Sequence, residues 1–186
     1  MITIEKLKIF DIYKGDIDGF ARVGRDHEKQ LFDNNEWFLI DSFYQDLDLI
    51  NKRLVAQEYS NNMFLKLKEN CDSKSFEAIT SKIKFYKDFQ KLAEILKHIK
   101  SFINSETDVV WSRYNNTAEF LADLNQDIED LKNCNFTTLD KVQVKFLPTA
   151  SYQEISISNG WIETYIKLSI EFDNLFKRLS ENKNST

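Results

Sequence analysis

The chain has 186 residues, 42% of them hydrophobic, with 15 Phe, two Cys and a net charge of −5, which suits a single soluble domain over residues 1–186 with a core that needs no disulfide staples and disorder only at 181–186. Mild acidity argues against general nucleic-acid binding, which requires clustered positive charge. No apolar run approaches the ~20 residues of a membrane span, and the charged first segment lacks the apolar stretch of a secretory signal, so reduced thiols and a cytoplasmic location are expected.

Taken in chain order, residues 3–14 can form a helix: Ile4, Leu7, Phe10 and Tyr13 recur at helical spacing, and Thr3 can cap. Three of the four glycines, Gly15, Gly19 and Gly24, then cluster beside Asp11, Asp16, Asp18, Arg22 and Arg25. This cluster breaks any regular element. The stretch Asp33–Glu36 starts a helix carrying Trp37, Ile40, Phe43, Leu47, Ile50 and Leu54. A shorter helix follows over Ala56–Cys71, with Tyr59, Met63, Leu67 and Cys71 on one face.

A long helix is predicted from about 73 to 104, holding apolar spacing from Phe76 to Ile103 for about eight turns. After a turn at Asn104–Glu106, another helix is predicted over about 107–133, with Val110, Tyr114, Leu121 and Ile128 in its stripe and Trp111 in or at the edge of the core. The short connection predicts an antiparallel hairpin. In residues 141–147, Val142, Val144 and Phe146 alternate with polar residues, the period of a strand ended by Pro148; an unpaired edge there would offer a route to a homodimer. Ser151 and Glu154 have capping-box spacing. Asn159-Gly160 fits a left-handed helix stop, and a final helix over about 161–180 buries Tyr165, Leu168, Phe172, Leu175 and Leu179. The expected fold is mainly α: about six helices built on the 73–133 hairpin, with one short extended segment at 141–147.

Charge is unevenly spread. Residues 73–104 carry seven Lys against three acids, and residues 105–133 carry seven acids against two basic residues. Within the acidic stretch, Glu119, Asp123, Asp127 and Asp130 stack on one helical face, where neighbours repel by about 0.2–0.5 kcal/mol per pair. Lysines of the adjacent helix (Lys84, Lys87, Lys91) would offset part of this. The row can be a solvated face or a ridge for a basic partner.

The tetrapeptide Asp16-Ile-Asp18-Gly19 resembles a calcium loop, but Lys14 and Arg25 then fall where oxygen ligands are needed. It also resembles the nucleophile loop of haloacid-dehalogenase-like phosphatases. There Lys14-Gly15 interrupts the leading strand, and Phe20 stands in place of Thr or Val. Turns made by the Asp side chains and glycines account for the segment, which can display Asp16, Asp18, Arg22 and Arg25 to a partner. A second candidate surface is Tyr152, Gln153 and Trp161, since exposed aromatics anchor interfaces. His27 and His98 have no metal spacing, and no catalytic, metal or cofactor set stands out.

These features point to a non-enzymatic, protein-binding domain. Its most concrete form is a bacterial immunity-type inhibitor that occludes the active site or substrate groove of a cognate toxin. The charge suits a basic toxin or enzyme as the partner. The alternatives are a metal-dependent hydrolase using Asp11, Asp16 and Asp18, or a structural or adaptor subunit.

Overall fold

The computed structural model describes residues 1–15 and 34–181. It is mainly helical. Among the described residues there are nine helices and no strand, and the one sheet-like feature is a parallel bridge between Ile2 and Cys71. The chain divides into two compact units, Met1–Lys84 and Phe85–Thr186.

The first unit holds α1 (Ile4–Gly15), α2 (Asn34–Asn51), α3 (Gln57–Asn70) and α4 (Ser73–Thr80). The Thr3 hydroxyl accepts from the Lys6 amide at 3.4 Å, capping α1 as its position predicts. Phe10, Ile40, Phe43, Ile50, Phe64, Leu67 and Ile79 form the core. Phe10 packs against Trp37 and Tyr44, with ring centroids 4.7 and 5.3 Å apart. Glu36 is buried and pairs with Lys6.

The helix predicted over 73–104 is interrupted between Thr80 and Tyr86, although its apolar spacing runs on. The cause is a tertiary bond. Asn51, the last residue of α2, takes the Lys84 amide at 2.8 Å and donates to the Lys82 carbonyl at 3.4 Å. Thr80 and Ser81 also bond back to helix carbonyls, a habit that weakens helix continuation.

The second unit holds α5 (Tyr86–Ser101), α6 (Thr117–Lys132), α7 (Phe136–Phe146), α8 (Ser151–Ser158) and α9 (Ile162–Glu181). Helices α5 and α6 pack together. Gln90, early in α5, donates to the Lys132 carbonyl at 3.0 Å, which sets the beginning of α5 against the end of α6. Phe89, Leu96, Phe120, Leu124, Val142, Tyr152 and Phe172 are buried between the helices. Phe146 stacks on Phe172 at 4.1 Å and gives its carbonyl to the Tyr165 hydroxyl at 2.9 Å.

Of the segment predicted as extended, residues 141–146 are instead helical, within α7, and Leu147 is the extended residue that caps it. Its apparent two-residue alternation conceals a helical stripe: Leu139, Val142 and Phe146 are buried, while Val144 is exposed. Asn135 starts the helix by accepting from the Thr137 and Thr138 amides. The homodimer route through an open strand edge therefore has no strand to use. At α8 the predicted capping box does not form: Ser151 is already inside the helix, and its cap Ala150 makes no side-chain bond. The reach-back comes from Gln153, whose side chain accepts from the Thr149 amide at 2.8 Å.

The stop at Gly160 forms as predicted. Gly160 has φ +75°, its amide bonds to the Ile157 carbonyl, and the Trp161 amide bonds to the Ser156 carbonyl. The same closing pattern ends α2 at Arg53 and α6 at Cys134, both with φ near +57° and without glycine's freedom.

Candidate functional site

The segment joining α5 to α6 was expected to be a short turn. It is a longer loop, because α6 begins at Thr117 rather than near 107. Asn116 caps α6 by accepting from the Glu119 amide at 2.9 Å, and Glu119 reaches back to the amide and side chain of Asn115 at 2.9 Å each. This Asn-x-x-Glu pair is the sequence signal that places the helix start.

Residues 104–116 form successive turns held by side chains. The Asn104 amide donates to the Thr107 hydroxyl, and the Asn104 side chain accepts from the Glu106 amide. Asp108 accepts from the Val110 amide, Ser112 donates to the Val109 carbonyl, and Thr117 donates to the Thr107 carbonyl. From the end of α8, Asn159 bonds to both the amide and the carbonyl of Asp108, at 2.8 Å each.

This bracing turns Val109 and Tyr114 inward and leaves Val110 and Trp111 outward, 76% and 73% exposed. Two adjacent large apolar side chains on a tip this firmly held lose little conformational freedom on binding, which favours them as anchors. Trp111 is thus on the surface, contrary to the core or core-edge position that helical spacing predicts. Asp108 bonds to the Val110 amide, Glu106 and Glu119 flank the loop at its two ends, and no described Lys or Arg forms an ion pair with the three.

Two members of the predicted acidic row, Glu119 and Asp123, hold this loop. Asp123 accepts from Arg113 of the loop at 2.7 Å, from the neighbouring Tyr114 hydroxyl, and from Lys145 of α7 at 2.6 Å. Lys145 also pairs with Asp127, and both of these side chains are almost fully buried. Asp130 accepts from Gln126 and from the Thr138 hydroxyl. Charge relief therefore comes from Lys145 and Arg113, and neither Lys87 nor Lys91 forms an ion pair with the row. Asp127 in particular is core rather than ridge.

The two carboxylates that share Lys145 titrate in opposite directions. Burial pushes Asp123 up, but hydrogen bonds from Lys145, Tyr114 and Arg113 outweigh it and hold the carboxyl at about 2. Asp127 is deeper, and there desolvation prevails over Lys145 and raises the carboxyl above its ordinary value.

The second predicted surface is internal. Tyr152 is fully buried beside Phe120 and Phe146, and Trp161 stacks on Phe102 with centroids 5.0 Å apart and planes at 8°. Gln153 is half-buried and engaged at Thr149. Asp16, Asp18, Arg22 and Arg25 lie outside the described residues, as does the Asp11 side chain. Among the described residues, no group of three or more His, Cys, Asp or Glu converges as a metal site. Burial pushes the Cys71 thiol up to about 12 and Cys134 also upward, so both are protonated at neutral pH. No helix of the described residues is long and apolar enough to cross a membrane. No protein-family model, curated protein or solved structure matches the chain.

Proposed function

We propose that this chain is a non-enzymatic protein-binding domain whose contact is the Val110–Trp111 tip. The observation that supports this is an exposed Val–Trp pair on a loop held by the side chains of Asp108, Arg113, Thr117 and Asn159. Apolar groups are placed in water at a cost of ~25 cal/mol per Å² relative to burial, and here the bracing prevents the loop from folding inward to recover it. The carboxylates of Glu106, Asp108 and Glu119, carried by the loop and the helix start that follows it, suit a basic partner surface with an apolar recess. An inhibitor of the immunity type fits that description: Trp111 would enter the recess while the acidic rim faces the cations of a toxin's active site or substrate groove.

The test is a comparison of the full chain with Trp111→Ala. Each is used as bait in extract of the native cell, and the retained protein is then purified and its affinity measured directly. A basic protein bound by the parent chain and weakened at least about a hundredfold by Trp111→Ala, an effect of hot-spot size, supports the proposal. Equal affinity for both baits overturns it. Loss of the partner's activity on binding separates an inhibitor from an adaptor.

A further inference from the structure

The Asn159 amide is committed at three points. It accepts from the Asp108 amide and donates to the carbonyls of Asp108 and Ile155, each at 2.8 Å. It thereby ties the 104–116 loop to the end of α8. The next residue is Gly160, exposed, with nothing within 4 Å of where a Cβ would stand. An Asn followed by Gly is the pair in which the following backbone nitrogen most easily reaches the side-chain amide carbon, because no side chain shields it.

From this juxtaposition we propose that Asn159-Gly160 is a deamidation site gated by the loop it fastens, so that opening of the 104–116 loop converts Asn159 and prevents reclosure. In the closed state the reaction is blocked by geometry. The Gly160 amide donates to the Ile157 carbonyl at 3.3 Å, Asn159 has ψ 11°, and its side chain is held away at three points. When Asp108 lets go, the end of α8 loses its external tie, and once the Asn159–Ile155 and Gly160–Ile157 bonds also open, the Gly160 nitrogen gives up its proton and attacks Cγ of Asn159. The new C–N bond closes a five-membered imide as the Cγ–Nδ2 bond breaks and ammonia leaves. One water then opens the imide to aspartate or isoaspartate, so the balance is one water consumed and one ammonia released.

The product restores only one of the three bonds of the latch. A carboxylate at 159 has no N–H for the carbonyls of Asp108 and Ile155. It keeps an oxygen for the Asp108 amide but lies against two carbonyl oxygens that have lost their donor, an arrangement that leaves each of those acceptors unpaired. Loop opening is thus recorded as a permanent change. The inference concerns the chain alone and holds whether or not the tip binds a partner.

The experiment incubates the full chain at neutral pH and physiological temperature, and follows conversion at 159–160 by mass spectrometry of the digest. A synthetic peptide of residues 151–167 is the ungated reference. The folded chain is expected to convert at least about tenfold more slowly than the peptide, the signature of reaction through a minor open state. Thr117→Val removes the bond to the Thr107 carbonyl and leaves Asn159 intact, and it is expected to speed conversion severalfold. Asn159→Asp is expected to raise hydrogen exchange at the 106–112 amides about tenfold while the helical signal is kept. Conversion of the folded chain at the peptide's rate overturns the gating, as does a Thr117→Val rate equal to the parent's. Unchanged exchange in Asn159→Asp overturns the latch. Should Asn159→Asp lose its helical signal, exchange in Asn159→Ser, whose side chain is too short to bond both the amide and the carbonyl of Asp108, decides the latch in its place, with unchanged 106–112 protection counting against it.

Discussion

Lys145→Met gives the most demanding test of the network under the loop. Lys145 is 4% exposed and serves both Asp127 and Asp123. Methionine fills the space of its stem but leaves Asp127 buried without a cation, and breaking one side of a buried pair costs about 3–5 kcal/mol. Asp127 has an escape, which is to bind a proton. Its carboxyl is already raised above the ordinary value by burial, and without Lys145 it rises further. A raised folded-state value means that the stability of the neutral form is complete below the unfolded value of about 3.9 and is lost as pH climbs, at about 1.4 kcal/mol per pH unit. The loss is therefore capped at about 4 kcal/mol at pH 7 and about 1.5 kcal/mol at pH 5. Asp123 adds little to this difference, because Arg113 and Tyr114 still bond to it. Denaturant unfolding at the two pH values measures it. Fluorescence in a Trp37→Phe background reads only Trp111 and Trp161, which belong to the second unit. The double variant Lys145→Met with Asp127→Leu removes both charges and should recover to within about 1.5 kcal/mol of the parent, with no excess pH slope. A Lys145→Met deficit that is equal at both pH values would refute the reasoning, and so would a double variant as unstable as the single one.

The other expectations are smaller. Trp111→Ala should shift stability by no more than about 0.5 kcal/mol, since the side chain is 73% exposed; a large drop in melting temperature would mean that Trp111 packs rather than displays. Asp123 is held at about 2, so its support of the loop is complete above the ordinary carboxyl range and disappears as pH falls through about 2. Hydrogen exchange at Arg113 and Tyr114 should show this loss on acidification, and Asp123→Asn should abolish the pH dependence. Gly160→Ala should cost about 1–2 kcal/mol in thermal unfolding, because φ is +75° while the added Cβ meets nothing. Thr149, exposed at φ +60°, should gain up to about 1 kcal/mol on replacement by Asn, which tolerates that conformation; a loss would show that the threonine side chain contributes a contact.

The helical class, the caps at Thr3 and Gly160 and the buried stripe of α9 follow from local patterns, because apolar spacing and cap chemistry act over a few residues. Three features escaped. Residues 139–146 satisfy strand alternation and helical spacing at once, and a run that short has no internal arbiter. The break after Thr80 depends on Asn51, distant in the chain, whose side chain supplies the bonds that helix continuation would otherwise provide. Trp111 reads as core on a helical wheel, but the Asn116-x-x-Glu119 cap starts the helix six residues beyond it.

The sequence by itself determined that this chain is mainly helical, which faces most helices bury, and that residues 105–133 concentrate negative charge. Only the tertiary structure decided what that charge does. A row of carboxylates at helical spacing is identical on paper whether it meets water or a lysine, and the outcome depends on Lys145 being carried against it by α7 and Arg113 by the loop. The same holds for the Val110–Trp111 tip: Asn159 lies 51 residues from Asp108, and hydrogen bonds between residues that far apart are created by packing, not by neighbouring sequence.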